Sequence, residues 1–157
     1  GVAINGDIAV VGADFESVPF VGGNYMEGAA YIFGRNVGGA DNWGLIKRIE
    51  DPDGISAACC DGFGTQVAIS GNTLAVGEFW HDRVHVFDRN EGGADNWGRV
   101  ALLTPSDKSS AFDFFHAVAI DGDTLAVGAG NHTHAGVSAS GAVYVYERNE
   151  GWLEQLG

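Results

Sequence analysis

Cysteine, basic charge and long apolar runs are all scarce in this chain. Cys59 and Cys60 are its two cysteines, and they are adjacent. Neighbouring cysteines close only a strained vicinal ring or pair with other chains, so no disulfide framework follows. Free thiols and a vicinal bridge both stay open, and with no second Cys pair zinc is not expected. Lysine and arginine number 8 against 21 acids, a formal charge of −13. Phosphate recognition needs a basic stripe, which excludes nucleic acid as a partner and argues against an anionic membrane surface. No apolar run approaches the roughly 18 to 20 residues of a membrane-spanning helix. No Gly-x-Ser-x-Gly nucleophile setting and no glycine-rich phosphate loop leading into a helix is present. No segment keeps a helical period, so essentially no helix is expected.

Glycine, by contrast, is abundant at 25 residues. Without a Gly-X-Y period, that level points to many tight turns. The turns recur. Val2-Ala3-Ile4-Asn5-Gly6-Asp7, Val67-Ala68-Ile69-Ser70-Gly71-Asn72 and Val118-Ala119-Ile120-Asp121-Gly122-Asp123 are three copies of one phrase. An apolar run ending in Val-Gly follows each: Ile8 to Gly12, Leu74 to Gly77, Leu125 to Gly128. In the middle copy, Gln66–Ser70 and Thr73–Gly77 read as strands joined by a tight turn at Gly71-Asn72. Arg83–Asp88 alternates as a third strand, and Trp97–Leu103 is a fourth, closed by Pro105. The outer copies follow the same plan. The fold expected is all-β: three four-stranded antiparallel blades, about 1–50, 63–104 and 114–157. First and second strands are small and apolar, whereas fourth strands carry Lys47, Arg48, Arg99 and Glu154. That grading suits a propeller, whose inner strands are covered on both faces, better than a sandwich.

The phrase from Phe63-Gly64 through Val67-Ala68-Ile69-Ser70-Gly71 to Ala75-Val76-Gly77 resembles the FG-GAP repeat, the blade unit of integrin alpha-subunit propellers and of many bacterial extracellular proteins. The run Val86-Phe87-Asp88-Arg89-Asn90-Glu91-Gly92-Gly93-Ala94-Asp95-Asn96-Trp97-Gly98 resembles the bacterial variety. The resemblance covers nearly the whole chain and implies an extracellular or cell-surface propeller module. It departs at three places. Copy three carries Phe114-Phe115 where copy two has Phe63-Gly64. Glu78 replaces the alanine of Val11-Gly12-Ala13 and Val127-Gly128-Ala129. The calcium loop of the integrin type shrinks to tight turns whose one or two carboxylates cannot supply the six to eight oxygens calcium takes. No metal and no cofactor is expected.

Loop length varies between second and third strands: Ala13 to Glu27, Glu78 to His81, and Ala129 to Ser140. Insertions at one point of a repeat map to one face, often the binding face. The resemblance to integrin-like propellers implies that the blade-to-blade connections, Asp51–Gly62 and Thr104–Asp113, share that face. Phe15, Phe20, Tyr25, Phe79 and Trp80 there offer either a stacking surface for sugar or protein or rings packing within the loops. Phe79-Trp80-His81 is the better candidate, because so short a loop can hardly bury both rings. His132 and His134 form a His-x-His pair that needs further ligands to hold a metal; the alternative is a solvated loop. Asn131-His132-Thr133 is also a glycosylation sequon. Trp43 and Trp97 each follow Asp-Asn, and their recurrence argues for scaffold. Asp41 and Asp95 are expected to fix the turn through side-chain to backbone bonds.

The chain opens inside its first repeat and stops on a last-strand pattern, so a piece of a longer protein or a mature form is expected. Propellers close with about four to eight blades, so three imply further blades or further copies. The functional expectation is a non-enzymatic extracellular module binding protein or glycan. The alternative is a structural subunit of a self-assembling fibre or oligomer built through blade faces.

Overall fold

The computed structural model describes residues 1–20, 23–54, 60–107, 115–133 and 136–155. Cys59 and His134 lie outside the described residues, and Cys60 opens a strand. Among the described residues thirteen strands follow one another: β1 Val2–Asn5, β2 Ile8–Ala13, β3 Ser17–Phe20, β4 Gly23–Arg35, β5 Trp43–Ile49, β6 Cys60–Ser70, β7 Thr73–Glu78, β8 Arg83–Asp88, β9 Gly98–Leu103, β10 Phe115–Asp121, β11 Thr124–Ala129, β12 Ala142–Glu147 and β13 Leu153–Gln155. Among the described residues the only helical turns are 3-10 turns at Phe79–His81 and Arg148–Glu150. Blade 1 is β1-β2-β4-β5, blade 2 is β6-β7-β8-β9 and blade 3 is β10-β11-β12-β13, all paired antiparallel.

The tight turns set the register. Gly6, Gly71 and Gly122 take φ near +57° (57°, 56° and 57°), so Asn5 faces Ile8, Ser70 faces Thr73 and Asp121 faces Thr124. Consecutive turns are also linked: Asn5 Oδ1 accepts the Gly71 N–H at 3.2 Å, and Ser70 Oγ accepts the Gly122 N–H at 3.0 Å.

Strand alternation divides each blade into two apolar sides. Ile8, Val10, Ala30, Ile32 and Ile49 of blade 1 meet Val67, Ile69, Leu74, Val76, Phe87 and Trp97 of blade 2. Blade 2 then turns Ala75, Val84, Val86 and Leu103 toward Phe115, Leu125, Val127, Tyr144, Tyr146 and Trp152 of blade 3. Lys47 adds a polar tie, donating to the backbone O of Asn96 and to its Oδ1 at 2.8 Å.

Three features differ from the sequence expectation. The insert after Ala13 is a ribbon: β3 pairs with the start of β4 from Ser17↔Met26 to Phe20↔Gly23. The first strand of blade 2 begins at Cys60, well before Gln66, and its start runs parallel to β4 at Met26↔Cys60 and Gly28↔Phe63. Gly62 and Gly64, at φ +69° and +92°, make the bend that brings it there. A Cβ on Gly64 would lie 2.5 Å from the Ala29 carbonyl oxygen, and one on Gly12 would lie 1.8 Å from that of Gly64. The third difference lies in blade 3, where Phe115 sits opposite Ala129 as Phe63 sits opposite Glu78. The irregularity spans Phe115 to Ala117 there, against Phe63 to Val67 in blade 2.

Candidate functional site

The β7–β8 connection of blade 2 gathers most of the buried charge among the described residues. β7 ends on Glu78, the 3-10 turn Phe79–His81 follows, and Asp82 at φ 53° closes it. Asp51 and Asp61, from either end of the connection between blades 1 and 2, come up beside it. Asp51, Asp61, Glu78, Asp82 and His85 are all buried.

Glu78 is the centre. His85 Nε2 lies 2.9 Å from its Oε2, and Arg83 Nη2 donates to Oε1 at 2.5 Å. Arg99 Nη1 stands 3.4 Å from His85 Nδ1. A guanidinium can only donate, so Nδ1 is the accepting nitrogen and Nε2–H donates to Glu78. Burial works against the Glu78 charge, but the hydrogen bonds from His85 and Arg83 outweigh it and hold its carboxyl below the ordinary range. Asp51 is raised instead, first by burial and then by repulsion from Glu78, against the Asp53 N–H that Oδ1 accepts at 2.9 Å. Glu27 is raised by burial and by repulsion from Glu50, Asp51 and Asp61. On the outer side, His81 Nδ1 abuts Glu78 Oε1 and lies 3.6 Å from Asp61 Oδ1. Two sets therefore have the donor types and spacing to hold a metal: Asp51, Glu78 and His85, and Asp61, Glu78 and His81. The donor atoms of each lie within 4.8 Å of one another.

Aromatic rings flank this cluster. Phe79 meets Trp80 edge to face at 5.3 Å and stacks on His116 of blade 3 at 5.8 Å. Trp80 leans on Gly62, where a Cβ would come within 3.1 Å of its ring, yet it stays 47% exposed. The structure thus brings Phe79, Trp80 and His81 together with the acids. Phe15 is exposed on the turn after β2. Phe20 and Tyr25 lie on the β3–β4 ribbon, and their side chains lie outside the described ones.

His132 requires a correction: it is neither a solvated loop residue nor on an open surface. Its imidazole is buried edge-on against Tyr144 at 6.0 Å, with Nδ1 3.2 Å from the Tyr144 hydroxyl and Nε2 3.4 Å from Asp107 Oδ2. The loop folds inward because the His132 carbonyl accepts from Gly141 N–H and Ser140 Oγ. The Asp-Asn-Trp turns also differ in detail. Asp41 and Asp95 take left-handed φ of 58° and 54°, and the side-chain to backbone bonds come from Asn36 and Asn90, whose Oδ1 atoms accept the Asp41 and Asp95 N–H. Trp97 and Phe63 are buried, whereas Trp43 is partly exposed beneath the Arg35 guanidinium at 5.4 Å.

Sequence reasoning missed Asp51, Asp61, His85 and the role of Glu78. The signal was present in the copies. The Glu78↔Arg83 pair occupies the register of Ala13↔Ala29 and Ala129↔Ala142, and His85 takes the place of Tyr31 and Tyr144. Blade 2 alone puts acid, guanidinium and imidazole where its sister blades put methyl groups and a phenol.

The sequence profile described as the FG-GAP repeat matches residues 43–94 and 97–146. No curated protein matches the chain. Among solved structures it is similar to a europium-containing methanol dehydrogenase, with 13% identity and a TM-score of 0.57 over 98% of this chain and 24% of that one. The chain spans about a quarter of that structure's length, and the likeness is one of fold.

Proposed function

The chain belongs to the FG-GAP repeat family and folds as β-propeller blades; from that premise we propose that it is a non-enzymatic extracellular module that binds protein or glycan through the face bearing Phe79, Trp80 and His81. The observation that carries this reading is Trp80. It is a large ring, half in water, backed by glycine on one side and a second ring on the other. Such a platform suits stacking against a sugar face or an apolar side chain. Among the described residues no helix is long and apolar enough to cross a membrane.

The test is the double substitution Phe79→Ala and Trp80→Ala, read on a glycan array and a panel of purified cell-surface proteins. The wild-type chain should bind at least one ligand, and the variant should lose about tenfold or more in affinity, as an aromatic hot spot would. An unchanged circular dichroism spectrum separates lost binding from lost fold. A wild-type chain that binds nothing on either panel, or a variant that binds equally well, overturns the reading.

A second reading has its own observation. Val2, Ile4 and Val11 on one outer blade side, and Val143 on the other, are exposed. Apolar blade sides of this kind support a structural subunit that assembles through blade faces. Sedimentation over a concentration series tests it; a monomer at every concentration argues against it.

A further inference from the structure

We infer that Asp61, Glu78 and His81 form a site for one first-row divalent cation, held at the solvent edge of blade 2.

In the inner set the imidazole is already committed to Glu78. His85 Nε2 carries its proton toward Glu78 Oε2, and a protonated nitrogen is no ligand. The outer set is different. His81 Nδ1 is buried and lies against Glu78 Oε1, yet it forms no hydrogen bond among the described residues. The donor atoms of His81, Glu78 and Asp61 all lie within 4.8 Å of one another. The 3.6 Å between His81 Nδ1 and Asp61 Oδ1 fits two ligands on one ion, which stand about 3.3 Å apart at the bond lengths of tetrahedral zinc. Glu78 Oε1 is nearer to Nδ1 than that, and the His81 side chain is 33% exposed.

The surrounding charge asks for a cation. Asp51, with its side chain wholly buried, has an Oδ2 that accepts no hydrogen bond among the described residues and finds its cation, Arg83, only at 4.0 Å. Buried carboxylates are costly unless neutralised, and the sister blades put alanine at the position of Glu78. The ligand set of one imidazole and two carboxylates suits zinc or manganese better than calcium, which takes oxygen ligands in larger number. His85 would act as a positioning residue, orienting Glu78 through Oε2 as outer-shell partners do, while Arg83 shares Oε1. This inference does not depend on whether Trp80 touches a ligand.

The test uses the untagged 157-residue chain, stripped with chelator and titrated with Zn²⁺, Mn²⁺ and Ca²⁺ by calorimetry. One equivalent of Zn²⁺ should bind and raise the thermal midpoint, with Ca²⁺ far weaker. His81→Ala and Asp61→Asn should each weaken Zn²⁺ by more than about 100-fold, and His85→Gln by about 10- to 100-fold, the range for an outer-shell residue. His81 lies near the surface, so His81→Ala keeps the test clear of folding failure, which its apo thermal midpoint checks. No Zn²⁺ or Mn²⁺ binding at millimolar concentration, or binding unchanged in His81→Ala and Asp61→Asn, overturns the site. So does calcium binding more tightly than zinc.

Discussion

At several equivalent positions blades 1 and 2 carry the same side chain and bury it differently. Val2 is 75% exposed, while its counterpart Val67 is 8% exposed. Ile4 and Ile69 repeat the contrast, as do Val11 and Val76. The tryptophans after Asp-Asn show it most clearly: Trp97 is 2% exposed and Trp43 is 39%. Trp97 also takes φ 52°, and so tucks beneath blade 1, whereas Trp43 runs into β5 and pairs with Arg35. The chemistry of the strand sets which side is apolar. The neighbouring blade decides whether that apolarity counts toward stability.

The sharpest way to break the comparison is at its closest approach. Gly12, Gly77 and Gly128 are equivalent glycines with different surroundings. An added methyl at Gly12 meets backbone at 1.8 Å, at Gly77 the Gln66 side chain at 2.4 Å, and at Gly128 only the Ala117 Cβ at 3.8 Å. Gly12→Ala should cost about 5 kcal/mol, the upper end for a single substitution, because blades 1 and 2 must separate. Gly77→Ala should cost about 1–3 kcal/mol as Gln66 shifts, and Gly128→Ala less than about 1 kcal/mol. Urea midpoints in that order support the contrast; equal midpoints refute it.

Next in size are the tryptophans. Trp97→Ala should lose about 3–5 kcal/mol and Trp43→Ala less than about 1 kcal/mol. Similarly, Ile69→Ala should lose at least about 2 kcal/mol and Ile4→Ala much less. Repeating the Ile4 and Trp43 measurements at rising protein concentration sharpens the comparison. A cost that grows with concentration would mean that another copy covers that side.

The smallest effect is the pH dependence of the Glu16–Arg48 pair in blade 1. Glu16 is pushed up by burial, but the Tyr31 hydroxyl at 2.5 Å and the Arg48 guanidinium outweigh this and hold it below the ordinary carboxylate range. A depressed folded value means that its stabilisation is complete above the unfolded value and is lost as pH falls through the folded one. Arg48→Met should therefore remove no more than about 1 kcal/mol at neutral pH and nothing in strong acid, since the pair is partly exposed. Blade 2 has His85 and Leu102 at the positions of Tyr31 and Arg48, and so lacks this guanidinium.

Much of this architecture could be read from the chain, because it rests on local signals that repeat. Glycine in a two-residue turn fixes the first hairpin, and alternation in Val84, Val86 and Phe87 reveals a strand wherever it falls. The β3–β4 ribbon was hidden by Pro19 and by glycines that resemble a plain loop. The parallel start of β6 depends on a neighbour more than thirty residues away, which no local pattern encodes. At the candidate site, Phe79, Trp80 and His81 were visible as an oddly short, ring-rich loop. Asp51 and Asp61 were not, since they sit on a connection without a period. His132 looked solvent-facing because its partner, Tyr144, belongs to another strand.

The links between consecutive first-hairpin turns have a geometric consequence. Each is a single bond from a short side chain, Asn5 or Ser70, to the glycine N–H of the next blade. Asn reaches one atom further than Ser, so the two steps are spanned by rulers of different length. The separation of each first hairpin from the next is thus bridged by one side chain. Asp121, at the same place in blade 3, carries a ruler of the Asn kind with a negative charge at its tip.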